Sequence, residues 1–288
     1  MPDSLAILSA PQKAAVRSFI SCAPGNVLLE LDLSAAESWV VAHLASDQNM
    51  IEQLKTGDLH LYSARMIYQN PNLTKADKDF RYIGKKMNHS CGYRASAEKV
   101  TEFINKEGQT TVSVRQTRVW HDRWHAAFNI KYWWADIEER LRRDNGTLVT
   151  AYGKKRKFWG FINSDLLKAA TAFEPQSVVS YHMDGAIHPD IGIAGGLIEI
   201  QRQISMPSKG EIKLLNTSHD SVLIECPRGP SLDIALQCKD LLTRPLSVRG
   251  QTFTIPVDCE RFDRRWKEDG EELKGDKFVR KPEAAAAA

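Results

Sequence analysis

Two aspartates, Asp32 and Asp220, each close an apolar stretch that reads as a buried strand, the first in Val27-Leu28-Leu29-Glu30-Leu31-Asp32, the second beside Val222-Leu223-Ile224. Carboxylates brought together at the ends of neighbouring strands are what a two-Mg²⁺ phosphoryl-transfer site needs. Hard cations prefer carboxylate oxygen, and a bridging pair can hold them about 3.5–4 Å apart. The carbonyl of Leu33 could add a ligand through the backbone. Read alone, either aspartate would merely cap a strand or helix. A second set, Arg81, Lys85, His89 and Tyr93, recurs every four residues, so a helix carrying it presents one slowly drifting stripe. Two cations on such a stripe suit the β and γ phosphates of a nucleotide, and a flat ring beyond them suits the base and sugar. Lys86 is an alternative to Lys85, although the spacing favours Lys85. A solvated basic helix face is the plainer reading of the same residues.

The run Asp32-Leu33-Ser34-Ala35-Ala36-Glu37, followed by Ala42-His43-Leu44-Ala45-Ser46-Asp47, resembles motif A of the family A DNA polymerases, the bacterial DNA polymerase I group. Arg81-Tyr82-Ile83-Gly84-Lys85-Lys86-Met87-Asn88-His89-Ser90-Cys91-Gly92-Tyr93 resembles motif B, and Ser218-His219-Asp220-Ser221-Val222-Leu223-Ile224-Glu225 resembles motif C. Gly57-Asp58-Leu59-His60 is similar to the family's Asp-Ile-His, and Tyr152-Gly153-Lys154-Lys155-Arg156 to its Gly-Arg-Arg-Arg hairpin. Any one match is weak; five in the family's order, over about residues 14 to 270, are specific.

The resemblance implies roles. Asp32, Leu33 and Asp220 would hold two Mg²⁺ ions, one acidifying a primer 3′-hydroxyl and the other neutralising the leaving pyrophosphate. Arg81, Lys85, His89 and Tyr93 would face the incoming nucleotide, with His60 touching the triphosphate. Glu37 stands at the family's steric gate against a ribose 2′-hydroxyl, often bonded to the tyrosine matched by Tyr93. A buried carboxylate there rejects ribonucleotides by clash and lost bonding; the plainer alternative is a first-turn residue favoured by the helix dipole. Lys154, Lys155, Arg156, Gln176 and His219 would contact DNA, Gln176 through a match that needs a one-residue gap. An ordinary core histidine is an equal reading of His60 and His219. Two departures stand out: His89 replaces the family's Phe or Tyr, and Ser221 replaces a common Glu.

Composition narrows the class. With 288 residues, 42% apolar and 26% charged, the chain can bury a sizeable core in one or two domains. A formal charge of +3 does not diagnose a nucleic-acid partner, so such a partner must meet local clusters, Lys154 to Lys157 and Arg261-Arg264-Arg265-Lys267 being the densest. Five cysteines without a Cys-x-x-Cys pair argue for a reducing compartment and against a disulfide framework or zinc site. His121-Asp122-Arg123-Trp124-His125 mimics a zinc helix, but no third ligand is evident in the sequence, and Trp120, Trp124, Trp133 and Trp134 read as packing. No apolar run approaches the roughly 18 residues of a membrane span, no signal peptide opens the chain, and Ala284 to Ala288 read as artefactual.

Positioning these residues requires a strand from Val27 to Asp32 and a helix from Ser34. A motif B helix capped by Thr74 follows the Asn70-Pro71 turn. Two or three helices over 97–143 end at Asp144-Asn145-Gly146, and a basic hairpin spans Thr147 to Phe161. A long helix from about Val178 to Ile204 is interrupted near Pro189, Gly192 and Gly195-Gly196. A Lys213–Glu225 hairpin, a helix from Ser231 to Thr243 and a final strand near Phe253 to Val257 complete the pattern. The expected class is α+β, and the resemblance implies a palm sheet (1–48 and 166–270) interrupted by helical fingers (49–165), then a tail (271–288), with thumb and exonuclease absent. Only 31 residues precede Asp32, and Arg17-Ser18-Phe19 resembles the family's Arg-x-Phe. The expected function is template-directed addition of deoxynucleotides to a primer–template, helped by a second polypeptide supplying a thumb and an exonuclease. The expected location is the cytoplasm of a bacterial or phage-infected cell. A single-subunit RNA polymerase or primase, or a catalytically silent nucleic-acid-binding subunit, are the rival readings.

Overall fold

A computed structural model describes residues 16–106, 110–185 and 195–280. In chain order, β1 (Asn26–Leu33) leads into α1 (Ala36–Leu44), α2 (Gln48–Thr56), α3 (Leu59–Tyr68) and α4 (Lys78–Gly92). Then come α5 (Ala97–Lys106), α6 (Val114–Ala127), α7 (Lys131–Arg143), β2 (Thr147–Val149), β3 (Lys155–Lys157) and α8 (Ser164–Asp184). Beyond them lie α9 (Gly196–Ile200), β4 (Lys213–Ser218), β5 (Ser221–Pro227), α10 (Ser231–Leu242), β6 (Leu246–Val248), β7 (Gln251–Phe253), β8 (Val257–Phe262), β9 (Glu271–Lys274) and β10 (Lys277–Arg280). No helix among the described residues is long and apolar enough to cross a membrane. The mixture of sheet and segregated helices is of the α+β kind.

By packing, the chain forms two compact units, one comprising the chain up to Ala36, Val179–Ser247 and the chain from Thr252, the other Glu37–Val178 with Val248–Gln251. The first is built on a six-stranded sheet of order β10-β9-β8-β1-β5-β4. β1 lies inside it, antiparallel to both β5 and β8, which is why its apolar run is buried on both faces. Leu28 packs with Leu223, Phe262 and Trp266 on one face. Leu29 and Leu31 alternate to the other, where α10 lies against β1, β5 and β8.

Three expectations are corrected. The last strand does not run from Phe253 to Val257; β7 stops at Phe253 and β8 begins at Val257, just past Pro256, which has no N–H for a ladder. Residues 271–280 are not a tail but the hairpin β9–β10, turned at Gly275 and anchored by buried Leu273, extending the sheet beside β8. The helix expected from Val178 begins earlier, at Ser164, and ends at Asp184; Pro189 and Gly192 lie outside the described residues. It resumes at Gly196, where φ is +61° and a Cβ would stand 2.2 Å from the Met183 carbonyl oxygen, so glycine is required.

The second unit is helical. Asp47 caps α2 by accepting from Met50 N at 2.8 Å, and Ser113 caps α6 by accepting from Gln116 N at 3.2 Å. Thr74 is not the cap of α4: its N and Oγ1 donate to Asp77, which occupies that position. Three helices, α5, α6 and α7, fill the span expected to hold two or three. The α3–α4 contact is a close one, since a Cβ on Gly84 would lie 2.1 Å from the His60 carbonyl oxygen and 2.9 Å from Ala64 N. Both are backbone atoms and cannot swing aside. Gly84→Ala should therefore push α4 from α3 and cost about 1–3 kcal/mol, read as a lower urea midpoint at unchanged m.

Candidate active site

In the first unit, strand pairing gathers the acidic residues. Asp32 sits one residue from the end of β1, opposite Ser221 on β5 and Asp258 on β8. Asp220 lies in the β4–β5 turn, where His219 takes φ +50°, and its carbonyl accepts from Leu33 N at 2.8 Å. That bond fixes the turn against the end of β1 and brings the two sequence-predicted aspartates together. Glu30, two residues before Asp32, shares its sheet face; Trp266 Nε1 donates to it at 2.9 Å and Lys267 forms an ion pair with it. Burial, then the charges of Asp220, Glu30 and Asp258, push the Asp32 carboxyl up to about 7, with Lys267 opposing. Carboxylate oxygens in excess of nearby cations are the donor set that suits Mg²⁺, so these residues fit a divalent ion.

In the second unit, α4 has the predicted stripe. Ile83, Gly84, Met87 and Cys91 are buried, whereas Lys85 and His89 are exposed and Arg81 is partly so. Tyr93 follows the helix rather than extending it, and its ring meets His89 edge-on at 5.9 Å. Its hydroxyl donates to Glu37 in the first turn of α1. Burial and that carboxylate raise the Tyr93 pKa well above its ordinary value, so the hydroxyl stays a donor. Glu37, Tyr93, His89 and Asn88 border a hollow with about 20 Å³ open to a water-sized sphere.

Behind the stripe, Asp58 caps α3 through His60 N and Leu61 N and holds Arg81 Nε at 2.6 Å. His60 faces inward, Nδ1 to Asn88 Nδ2 at 3.1 Å, and burial lowers its pKa to about 4. It is neutral near pH 7, and the cations Lys85 and Arg81 nearby reinforce that state. Asn88 bonds in addition to Ser63 Oγ, Trp124 Nε1 and the Leu59 carbonyl, which makes it the polar hub beneath the stripe.

The basic hairpin is β2–β3, with Lys154, Lys155 and Arg156 exposed and the Arg156 guanidinium 4.7 Å over the Phe158 ring. Gln176 is exposed on α8. Sequence reasoning passed over Trp159 and Phe161 just beyond the hairpin, which are 82% and 93% exposed. Large aromatics next to Lys154–Lys157 were the available signal, since bases stack on such rings. It also passed over Asp258, which is isolated in sequence and gains its place beside Asp32 only through the β1–β8 register.

The sequence profile of DNA polymerase family A matches residues 5–268. The thermostable DNA polymerase I of Thermus thermophilus is 24% identical over 240 residues, covering 81% of this chain and 26% of that relative. The DNA polymerase of Mycobacterium phage D29 is 29% identical over 142 residues, 49% of this chain and 22% of its own length. The chain thus spans about a quarter of the curated relatives it matches. Among solved structures, the polymerase domain of Pol1 from M. smegmatis, in complex with DNA primer-template and dNTP, superposes with a TM-score of 0.71 at 19% identity, covering 91% of this chain and 44% of that one. That likeness is one of fold.

Proposed function

The chain belongs to DNA polymerase family A, and on that premise we propose that it carries out template-directed addition of deoxynucleotides to a primer 3′ end. The observation that carries the reading is the pairing of β1 with β5, which sets Asp32 and the Asp220 turn at one end of the sheet. Asp32, Asp220 and the Leu33 carbonyl are proposed to hold two Mg²⁺ ions. When bound, the ions supply charge neutralisation for an attacking hydroxyl and a departing pyrophosphate. Lys85 and Arg81 donate to the triphosphate, and Asp58 keeps the Arg81 guanidinium in one orientation. Glu37, held by the Tyr93 hydroxyl, forms the surface under the sugar. Lys154, Lys155 and Arg156, with Gln176 and His219, bind the duplex mainly through phosphates, because a polymerase must accept every sequence.

Primer extension with deoxynucleotides and Mg²⁺ tests this reading. Weak, strongly salt-dependent binding of primer–template is expected, and neutralising Lys154, Lys155 and Arg156 should flatten the log K against log [salt] slope by about one to three. Arg156 contributes least, since it is stacked on Phe158. A slope unchanged in the triple variant would remove the hairpin from the interface. We further propose that a second polypeptide supplies thumb-like helices; extension assayed with and without chains captured from the native source tests it, and processive synthesis by the purified chain alone would sink it.

A further inference from the structure

His121 and His125 stand one turn apart on α6, and the fold brings a third residue to them that the sequence analysis did not: Cys91, from the last turn of α4. Its Sγ and one ring nitrogen from each histidine all lie within 4.8 Å of one another. The two Nε2 atoms face each other at 3.2 Å, and His121 Nε2 also lies 3.1 Å from the Ala95 carbonyl oxygen. His125 Nδ1 is buried without a hydrogen-bond partner.

No arrangement of protons satisfies this group. A proton on His121 Nε2 has one direction, toward Ala95 or toward His125. If it goes to His125, that ring must accept through Nε2 and carry its own proton on the buried, unpartnered Nδ1. If instead His125 donates through Nε2, His121 turns a lone pair on a carbonyl oxygen. Each choice leaves a ring nitrogen mismatched, at a cost characteristic of buried unsatisfied groups. An electron-pair acceptor among the three atoms would take the two facing Nε2 lone pairs, so that neither ring has to aim a proton or a lone pair at the other; the His125 proton then sits on Nδ1.

We propose that Cys91, His121 and His125 form a binding site for a borderline-soft divalent transition ion, zinc being the expected occupant. One thiolate and two imidazoles are a zinc donor set, unsuited to Mg²⁺ or Ca²⁺. Binding forms an Sγ–metal bond and releases the Cys91 thiol proton to solvent, with no change of oxidation state. His121 and His125 also border a cavity of about 250 Å³, with Ser96, Trp134, Lys168 and Arg94, large enough to admit a water ligand. Arg94 does not oppose the ion with a free charge, because Glu138 pairs with it at 2.8 Å. The site clamps the end of α4 to α6 two residues from both His89 and Tyr93. It is independent of the polymerase reading.

The test uses cobalt(II) as a spectroscopic probe on the purified, metal-free chain. One equivalent should bind with the visible bands of a tetrahedral ion and a near-ultraviolet thiolate-to-cobalt charge-transfer band, both abolished by zinc. Cys91→Ser should lose the charge-transfer band, and His125→Gln should weaken cobalt binding by at least about tenfold, as loss of even an outer-shell partner does. Far-ultraviolet circular dichroism shows whether each variant is folded; His125 is partly exposed, so its Gln variant serves if Cys91→Ser does not fold. Asp32→Ala should leave the bands unchanged. Absence of the charge-transfer band in the wild-type chain at one equivalent, or its persistence in folded Cys91→Ser, overturns the proposal.

Discussion

Asp32→Ala or Asp220→Ala is expected to abolish primer extension, lowering its rate by at least about a thousandfold, or about 4 kcal/mol of transition-state stabilisation, while duplex binding stays within a few-fold. The ions these carboxylates are proposed to hold act chiefly on charge that develops during the reaction. Extension and binding should be measured on the same preparation; extension by either variant near the wild-type rate would remove the two-metal assignment. A second readout separates chemistry from folding. The Asp32 carboxyl has a folded-state pKa raised to about 7, so its ionisation opposes folding. The opposition grows as pH rises from the ordinary carboxylate range to about 7 and is complete above it. With Mg²⁺ removed, Asp32→Asn should therefore be at least as stable as the wild type at pH 8 although it is inactive. A lower Tm would mean that the residue is structural.

Glu37→Ala should admit ribonucleotides. The carboxylate lies against the Tyr93 hydroxyl, which stays protonated, beside a hollow with room for about one water. Truncation opens that space and removes the partner that fixes Tyr93. The ratio of kcat/KM for deoxy- over ribonucleotides is expected to fall at least tenfold, about 1.4 kcal/mol. Glu37→Gln, which keeps the volume, should lose less. An unchanged ratio, or a wild-type chain already preferring ribonucleotides, would favour the RNA polymerase reading.

Much of this site was legible because its signals are local. The run Val27 to Asp32 is apolar enough to demand a strand inside a sheet, and the four-residue spacing of Arg81, Lys85 and His89 identifies one helix face whatever that helix packs on. What was missed depends on register or on distant contact. β8 is the other neighbour of β1, yet Asp258, Glu260 and Arg261 interrupt its apolar pattern. Glu271 to Arg280 is too charged to read as a hairpin, and Arg261 holds it through an ion pair with Glu271 and by stacking on Phe278. Cys91 meets His121 and His125 only because α4 and α6 pack together, which no spacing encodes.

The pairing of Asn26 with Pro227 joins strands separated in sequence by all of the helical unit except Val248–Gln251. Closing so long a loop costs entropy before the ladder returns anything, whereas Glu37–Val178 is nearly continuous and rich in local helical contacts. During synthesis the helices can therefore form while β1 still waits for β5. On this entropy argument the acidic end of the sheet is expected to close after the helices, and a nascent chain halted before Asp220 holds Asp32 without its partner carboxylate.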